Sequence, residues 1–286
     1  MTEVAGSAPR LPDAVRLRID LAYDGSPFAG FARQPDQVTV QGTLEGALSR
    51  CLGQPVATTC AGRTDRGVHA LAQVVHLDVD PSVAVAQRSL VDLLAGSPTS
   101  PELRRRIDGL VGPPITVWGV RRVPADFDAR RSATGRVYRY RLVDADTAAP
   151  LERFDRWHIG VPLAIGPMRR AAAALIGQHD FAAFCRRVPG RSSVRRLDRI
   201  AISRPAPGRI SVRLAGAAFC HNQVRAIVGC LVEVGRGGWQ PERVAEVLAA
   251  RDRRELARVA PPHGLTLERV SYGRRFPAAP MRVDEA

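Results

Sequence analysis

Between Cys60 and Ala70 the chain reads Cys-Ala-Gly-Arg-Thr-Asp-Arg-Gly-Val-His-Ala, with Arg63, Asp65 and Arg66 set between two glycines and flanked by apolar runs. A carboxylate held still in such a loop can serve as a nucleophile or as a general base, provided that it is ionised. Gly62 and Gly67 permit backbone angles that other residues avoid, which suits a loop shaped around one side chain. On local signals alone, an ordinary hairpin turn with a solvated Arg–Asp pair is the simpler account. A second residue stands out for the opposite reason: Arg225 lies in a largely apolar run, Val224 to Val234. Burying a guanidinium there is costly unless it meets a carboxylate or a phosphate. A structural ion pair, or an arginine whose head reaches water, would satisfy it equally.

The elements that must hold these residues follow from periodicity. Arg16 to Tyr23 alternates, with Leu17, Ile19, Leu21 and Tyr23 on one face, as a strand does. Leu44, Ala47, Leu48, Cys51 and Leu52 recur at helical spacing before a stop at Gly53. Gln54 to Cys60 and Ala72 to Val79 read as two strands around the Asp65 loop. Leu90, Val91 and Leu94 predict a helix ending near Gly96, followed by a polar stretch to Pro114 and a strand from Ile115 to Val123. This order, strand-helix-strand-strand-helix-strand, is the ferredoxin-like pattern.

The second half repeats the pattern. Arg136 to Val143 alternates as a strand, with Tyr138, Tyr140 and Leu142 on one face and Arg139 and Arg141 on the other. Met168, Ala172, Leu175 and Ile176 mark a helix closed by Gly177, and strands follow near Leu197 to Ser203 and Ile210 to Ala217. A helix runs from Val224 to Gly235, another from Pro241 through Leu248, and Leu265 to Tyr272 closes the half as a strand. The expected architecture is α+β: two ferredoxin-like (RRM-like) halves sharing a long mixed sheet, helices on one side and an open, basic face on the other, a form suited to RNA. The expected division is an N-terminal arm (1–12), a first half with the Asp65 loop (13–125), a second half (126–275) and a C-terminal tail (276–286).

Composition narrows the chemistry. The 286 residues carry a net charge of +14 and a sequence pI near 11.1, so a polyanion is the natural partner. All 42 basic residues are Arg; the absence of Lys removes Schiff-base catalysis, lysine-anchored pyridoxal phosphate and a P-loop lysine together. Cys51, Cys60, Cys185, Cys220 and Cys230 have no C-x-x-C spacing, and the six histidines include no close pair on one helical face, so no metal site is expected. No run has the length or apolar content of a signal peptide or membrane span, and a soluble cytoplasmic protein is expected.

Seven blocks, in order, resemble the TruA family of tRNA pseudouridine synthases: Tyr23-Asp24-Gly25, Ala61 to Ala70, Phe127-Asp128-Ala129-Arg130, Tyr138-Arg139-Tyr140, Gly177-Gln178-His179-Asp180-Phe181, Val224 to Gly229 and Gly264 to Leu267. The resemblance runs from about Leu17 to Tyr272. It implies the pseudouridine synthase fold with a central catalytic cleft. It also implies a cofactor-free isomerase that converts uridine to pseudouridine at positions 38, 39 and 40 of the tRNA anticodon stem-loop, and a homodimer. Residue by residue, Asp65 matches the catalytic aspartate, Arg225 its basic partner, Tyr138 the tyrosine against the target base and Arg63 the arginine linked to extruding the nucleotide. Leu265 or Leu267 would supply the opposite wall of the pocket, with core packing as the other reading of each. Two departures bear on substrate placement: Phe31-Ala32 stands where the family usually has Trp-Gln, and Arg66 where alanine is commoner.

Two other classes are compatible with parts of the pattern. A non-catalytic RNA-binding protein would keep the basic sheet without needing Asp65 and Arg225 together. An aspartate-dependent nuclease or glycosidase would need a second carboxylate or a metal cluster, and no acid near Asp65 in the sequence provides one.

Overall fold

The structure, a computed structural model, describes residues 14–84, 93–186, 190–274 and 276. The expected arm (1–12), most of the expected tail (276–286), and Leu90 and Val91 of the second expected helix lie outside the described residues. Contacts divide the chain into two compact units. Among the described residues, those up to Thr64, those from Ala72 to Ala133 and those from Tyr272 onward make the first; those from Asp65 to Leu71 and from Thr134 to Ser271 make the second. The short segment carrying Asp65 therefore folds with residues far along the chain.

In the first unit, β1 (Val15–Tyr23) pairs antiparallel with β4 (Ile115–Arg122), and β3 (His69–Val79) lies on its other side. A two-residue strand, β2 (Thr59–Cys60), pairs with β3 at His76 and Val75. Helix α1 (Val40–Leu52) starts where Thr39 Oγ1 accepts from the Gly42 N–H, and ends where Gly53 adopts φ 69°. The polar stretch before Pro114, to which the sequence reading gave no element, holds helix α2, Pro101–Val111. Ser100 caps it by accepting from the Leu103 N–H at 3.2 Å, Pro101 sits in its first turn, and Leu103, Ile107 and Val111 form its buried stripe.

The expectation of an open sheet face fails here. The second face of β1 is buried too, because Arg18 closes it: its guanidinium pairs with Asp20 at 2.6 Å and lies 4.8 Å from the centre of the Tyr272 ring and 5.6 Å from that of Phe127. Arg121 reaches the other oxygen of Asp20 at 3.1 Å. A paired and stacked guanidinium can be buried where a lone one cannot.

In the second unit, β10 (Leu265–Ser271) pairs antiparallel with β5 (Gly135–Val143) and parallel with the start of β3, so the sheet is mixed. Beyond β5 come β9 (Arg209–Gly216), β8 (Val194–Ala206) and β7 (Gly177–Asp180), all antiparallel, while β6 (Trp157–His158) pairs with the end of β5. Here burial alternates as the sequence predicts: Tyr138, Tyr140, Leu142, Val212 and Leu214 are buried, whereas Arg139, Arg141 and Arg213 keep contact with water. Those arginines are paired, Arg139 and Arg213 with Glu268 and Arg141 with Asp155. Helix α3 (Ile165–Ala173) packs on α4 (Gln223–Gly235), and α5 (Arg243–Ala250) follows. The first of these ends at Ala173, short of Gly177, and Ile176 is exposed rather than part of its apolar face. Among the described residues no helix is long and apolar enough to cross a membrane.

Candidate active site

Gly62 and Thr64, just before Asp65 in the chain, are held by side chains and backbone of the first unit. Tyr23 Oη and Thr64 Oγ1 are 2.7 Å apart, Gln73 Nε2 donates to the Gly62 carbonyl at 2.7 Å, and the Phe31 N–H donates to the Thr64 carbonyl at 3.0 Å. Phe31 is buried against Tyr23, with ring centres 6.2 Å apart, so the residue that departs from the usual family tryptophan supports the loop through packing and backbone. Asp65 then opens a turn in which the Val68 N–H donates back to its carbonyl at 3.1 Å. Gly67 takes φ 74°, and a Cβ there would stand 3.2 Å from Pro262 Cγ, so both backbone angle and space call for glycine. The next residues enter the second unit's sheet, His69 opposite Thr266 and Ala70 opposite Leu267.

Helix α4 supplies the counter-charge. Its apolar residues Val224, Ala226, Ile227 and Val228 are buried, and Gly229 lets its backbone touch the 258–260 segment, where a Cβ would fall 2.0 Å from the Arg258 carbonyl oxygen. That approach orients Arg225: its backbone carbonyl accepts from the Ala260 N–H at 3.1 Å, and its Nε donates to the Ala260 carbonyl at 2.7 Å. Its Nη1 donates to Asn222 Oδ1 at 3.1 Å and faces Asp65 Oδ2 at 3.7 Å. The second carboxylate oxygen, Oδ1, lies 3.1 Å from His221 Nε2. The Asp65 side chain is 32% exposed and that of Arg225 17%, so the carboxylate is open to solvent on one side while its partner is mostly enclosed.

The two residues singled out for chemistry, far apart in sequence, thus meet. His221, four residues before Arg225, was not marked by its sequence context and completes the surround of the carboxylate. Arg63 belongs to the first unit and is exposed, with no ion pair among the described residues. Tyr138 is buried edge-on to Phe219, with ring centres 5.2 Å apart. It stands opposite Leu267 on β10, and Leu267 stands opposite Ala70 on β3, so Tyr138 occupies the same row of the sheet as the exit from the Asp65 turn. Leu265, opposite Tyr140, and Leu267 are buried in that strand.

Tyr140 donates from its hydroxyl to the Pro261 carbonyl at 2.7 Å, and burial pushes its ionisation well above the ordinary tyrosine range despite the nearby Arg225. Gly264 makes this possible, because a Cβ there would lie 2.6 Å from Tyr140 Cε1. His263 is held below its ordinary value chiefly by burial, with His69 and Arg225 adding to the effect.

A carboxylate between a guanidinium and an imidazole is a group arranged for acid–base or nucleophilic work, and known proteins say on what. The family described as tRNA pseudouridine synthase matches residues 21–96 and 171–273. The chain belongs to the tRNA pseudouridine synthase family. It is 46% identical over 260 residues to tRNA pseudouridine synthase A of Frankia casuarinae, spanning 90% of this chain and 89% of that one. Proteins of the same description from Leifsonia xyli subsp. xyli and Mesorhizobium japonicum are each 41% identical to it. They cover 91% and 90% of this chain, and the matches span 92% and 99% of their own lengths. As a tRNA pseudouridine synthase, the protein is an isomerase that acts on uridine in tRNA.

Proposed function

We propose that the enzyme isomerises uridine to pseudouridine at positions 38, 39 and 40 of the tRNA anticodon stem-loop, with Asp65 as the catalytic carboxylate. The observation that carries this reading is the placement of Asp65 against Arg225 and His221, at the start of the turn that contains Gly67. The reaction breaks the bond between uracil N1 and ribose C1′, turns the detached base, and joins C1′ to C5; the proton on C5 leaves and N1 gains one. An ionised Asp65 acts as nucleophile, toward the ring at C6 or the sugar at C1′, or as the base for that proton. Arg225 sets a positive charge 3.7 Å from Oδ2 of that carboxylate.

The target nucleotide leaves the stacked stem, at a cost of about a few kcal/mol, which phosphate contacts from an arginine-rich surface offset. Arg63, exposed and next to the Asp65 turn in sequence, takes the role of extruding the nucleotide, and Tyr138 lies against the base. Leu265 and Leu267, both buried, back Tyr140 and Tyr138 from the neighbouring strand. The same reading takes residues 13–125 and 126–275 as two ferredoxin-like halves of a pseudouridine synthase fold with a central catalytic cleft, and the working enzyme as a cytoplasmic homodimer that needs no cofactor.

The test is tRNA carrying C5-tritiated uridine: isomerisation releases the label, and mere binding does not. Asp65→Asn should abolish release while tRNA affinity is retained. Turnover by that variant at the wild-type rate would refute the assignment, and cleaved RNA on a gel would favour a nuclease instead.

A further inference from the structure

The turn leading into α4 departs twice from the way helices ordinarily begin. Asn222, at the N-cap, has φ 67° and ψ 0°, in the left-handed region, where an N-cap residue is normally extended. Its side chain also caps none of the first-turn N–H groups. Its Oδ1 instead accepts from Arg225 Nη1, the same nitrogen that faces Asp65. A left-handed asparagine persists where the surroundings hold it, and they do so on both sides. The Arg186 N–H donates to the His221 carbonyl at 3.0 Å, and Gln223 Oε1 accepts from the Cys220 N–H at 2.8 Å. The same turn brings His221 Nε2 to 3.1 Å from Asp65 Oδ1.

We propose that His221 and Asn222 are positioning residues of the reacting pair: Asn222 sets the direction of the Arg225 guanidinium, and His221 bounds the carboxylate oxygen that Arg225 does not face. This rests on reading Asp65 and Arg225 as that pair. A carboxylate bounded at both oxygens has little freedom to rotate about its Cβ–Cγ bond, so the reactive lone pair keeps its aim. A guanidinium tied by Nε to Ala260 and by Nη1 to Asn222 has little freedom to swing away.

The experiment compares wild type with Asn222→Gly, His221→Ala and His221→Gln in single-turnover tritium release, tRNA binding and urea unfolding. Glycine adopts φ 67° without strain, so Asn222→Gly removes the Oδ1 contact and leaves the turn intact. A purely structural asparagine would then give unchanged turnover, with the unfolding midpoint lowered by no more than the lost hydrogen bond. Positioning predicts a release rate lower by about tenfold, with tRNA affinity within about twofold of wild type. His221→Ala should lose rate similarly, and His221→Gln, which can still present a donor, should recover most of it. Wild-type rates for both Asn222→Gly and His221→Ala overturn the proposal, as do rate losses matched by equal losses of affinity or stability. If wild type itself releases no label, the proposed function fails and takes this inference with it; release by wild type with unaffected variants removes this inference alone.

Discussion

Replacing Arg225 by alanine separates what its guanidinium does for the fold from what it does for Asp65. Little of the stability cost comes from the carboxylate, because the Asp65 side chain is 32% exposed and water can replace its partner at 3.7 Å; that ion pair contributes about 0–1 kcal/mol. The larger loss is at Ala260, a fully buried residue whose carbonyl takes the Nε donor at 2.7 Å, where losing a partner costs about 1–3 kcal/mol. With the Asn222 contact added, the expected destabilisation is about 2–3 kcal/mol. Arg225→Lys should recover only part of it, since one ammonium on a flexible stem cannot serve Ala260 and Asn222 while facing Asp65. Urea unfolding reads the stability as a lower midpoint at unchanged slope, and tritium release reads the chemistry. Asp65→Asn should remove activity with little change of midpoint. If Arg225→Ala unfolds at the wild-type midpoint, or if Asp65→Asn destabilises as much as it does, the assignment of stability to the Ala260 carbonyl is wrong.

Gly229→Ala should destabilise by about 2–3 kcal/mol and slow turnover, because a Cβ 2.0 Å from the Arg258 carbonyl oxygen must push α4 away from the segment that orients Arg225; wild-type unfolding and rate would contradict this. Asp144→Ala removes two contacts to Arg204 at 2.7 Å and one to the Leu163 N–H at 3.0 Å, for an expected loss of about 2–3 kcal/mol at neutral pH in urea unfolding. The Arg204 guanidinium holds the Asp144 carboxyl below the usual range, so its contribution is complete above about pH 3.9 and disappears as pH falls through the lower folded value. The acid limb of stability should flatten in the variant. His76 is held below its ordinary value by burial first and Arg16 next, and its Nδ1 accepts from the Ala129 N–H at 3.0 Å. Its neutral form favours the fold, so wild-type stability should decline as pH drops below about 6.5, and His76→Gln should weaken that decline.

Much of the architecture was legible because apolar periodicity survives wherever one face is buried. That holds for β5 and β9 of the second unit and for α4, whose starts and stops fall within a residue of the sequence reading, and for the stop of α1 at Gly53, although α1 starts at Val40, four residues before the first periodic residue, Leu44. Helix α2 was hidden by Arg104, Arg105 and Arg106, which interrupt the run between its buried Leu103 and Ile107, although Ser100-Pro101 was a start signal. Strand β7, Gly177–Asp180, has no apolar alternation to read; only its ladder to β8 makes it a strand. At the site, Arg225 was legible as a charge that an apolar helix had to explain, and Asp65 as a carboxylate between glycines. His221 and Asn222 were not, since an asparagine before a helix reads as an ordinary cap and one histidine has no period. Their roles depend on a left-handed turn that only tertiary contacts impose.

The early position of Asp65 in the chain belies when its surroundings can be completed. The turn that holds it rests on Pro262 through Gly67, and the strand leaving it is zipped to Thr266 and Leu267. During synthesis this aspartate is made well before its guanidinium at Arg225, its imidazole at His221 and its supporting strand at Thr266 and Leu267. A ribosome-bound chain halted before residue 262 holds the carboxylate but not its setting, so the capacity for chemistry arrives only once Pro262 and the strand after it have been made.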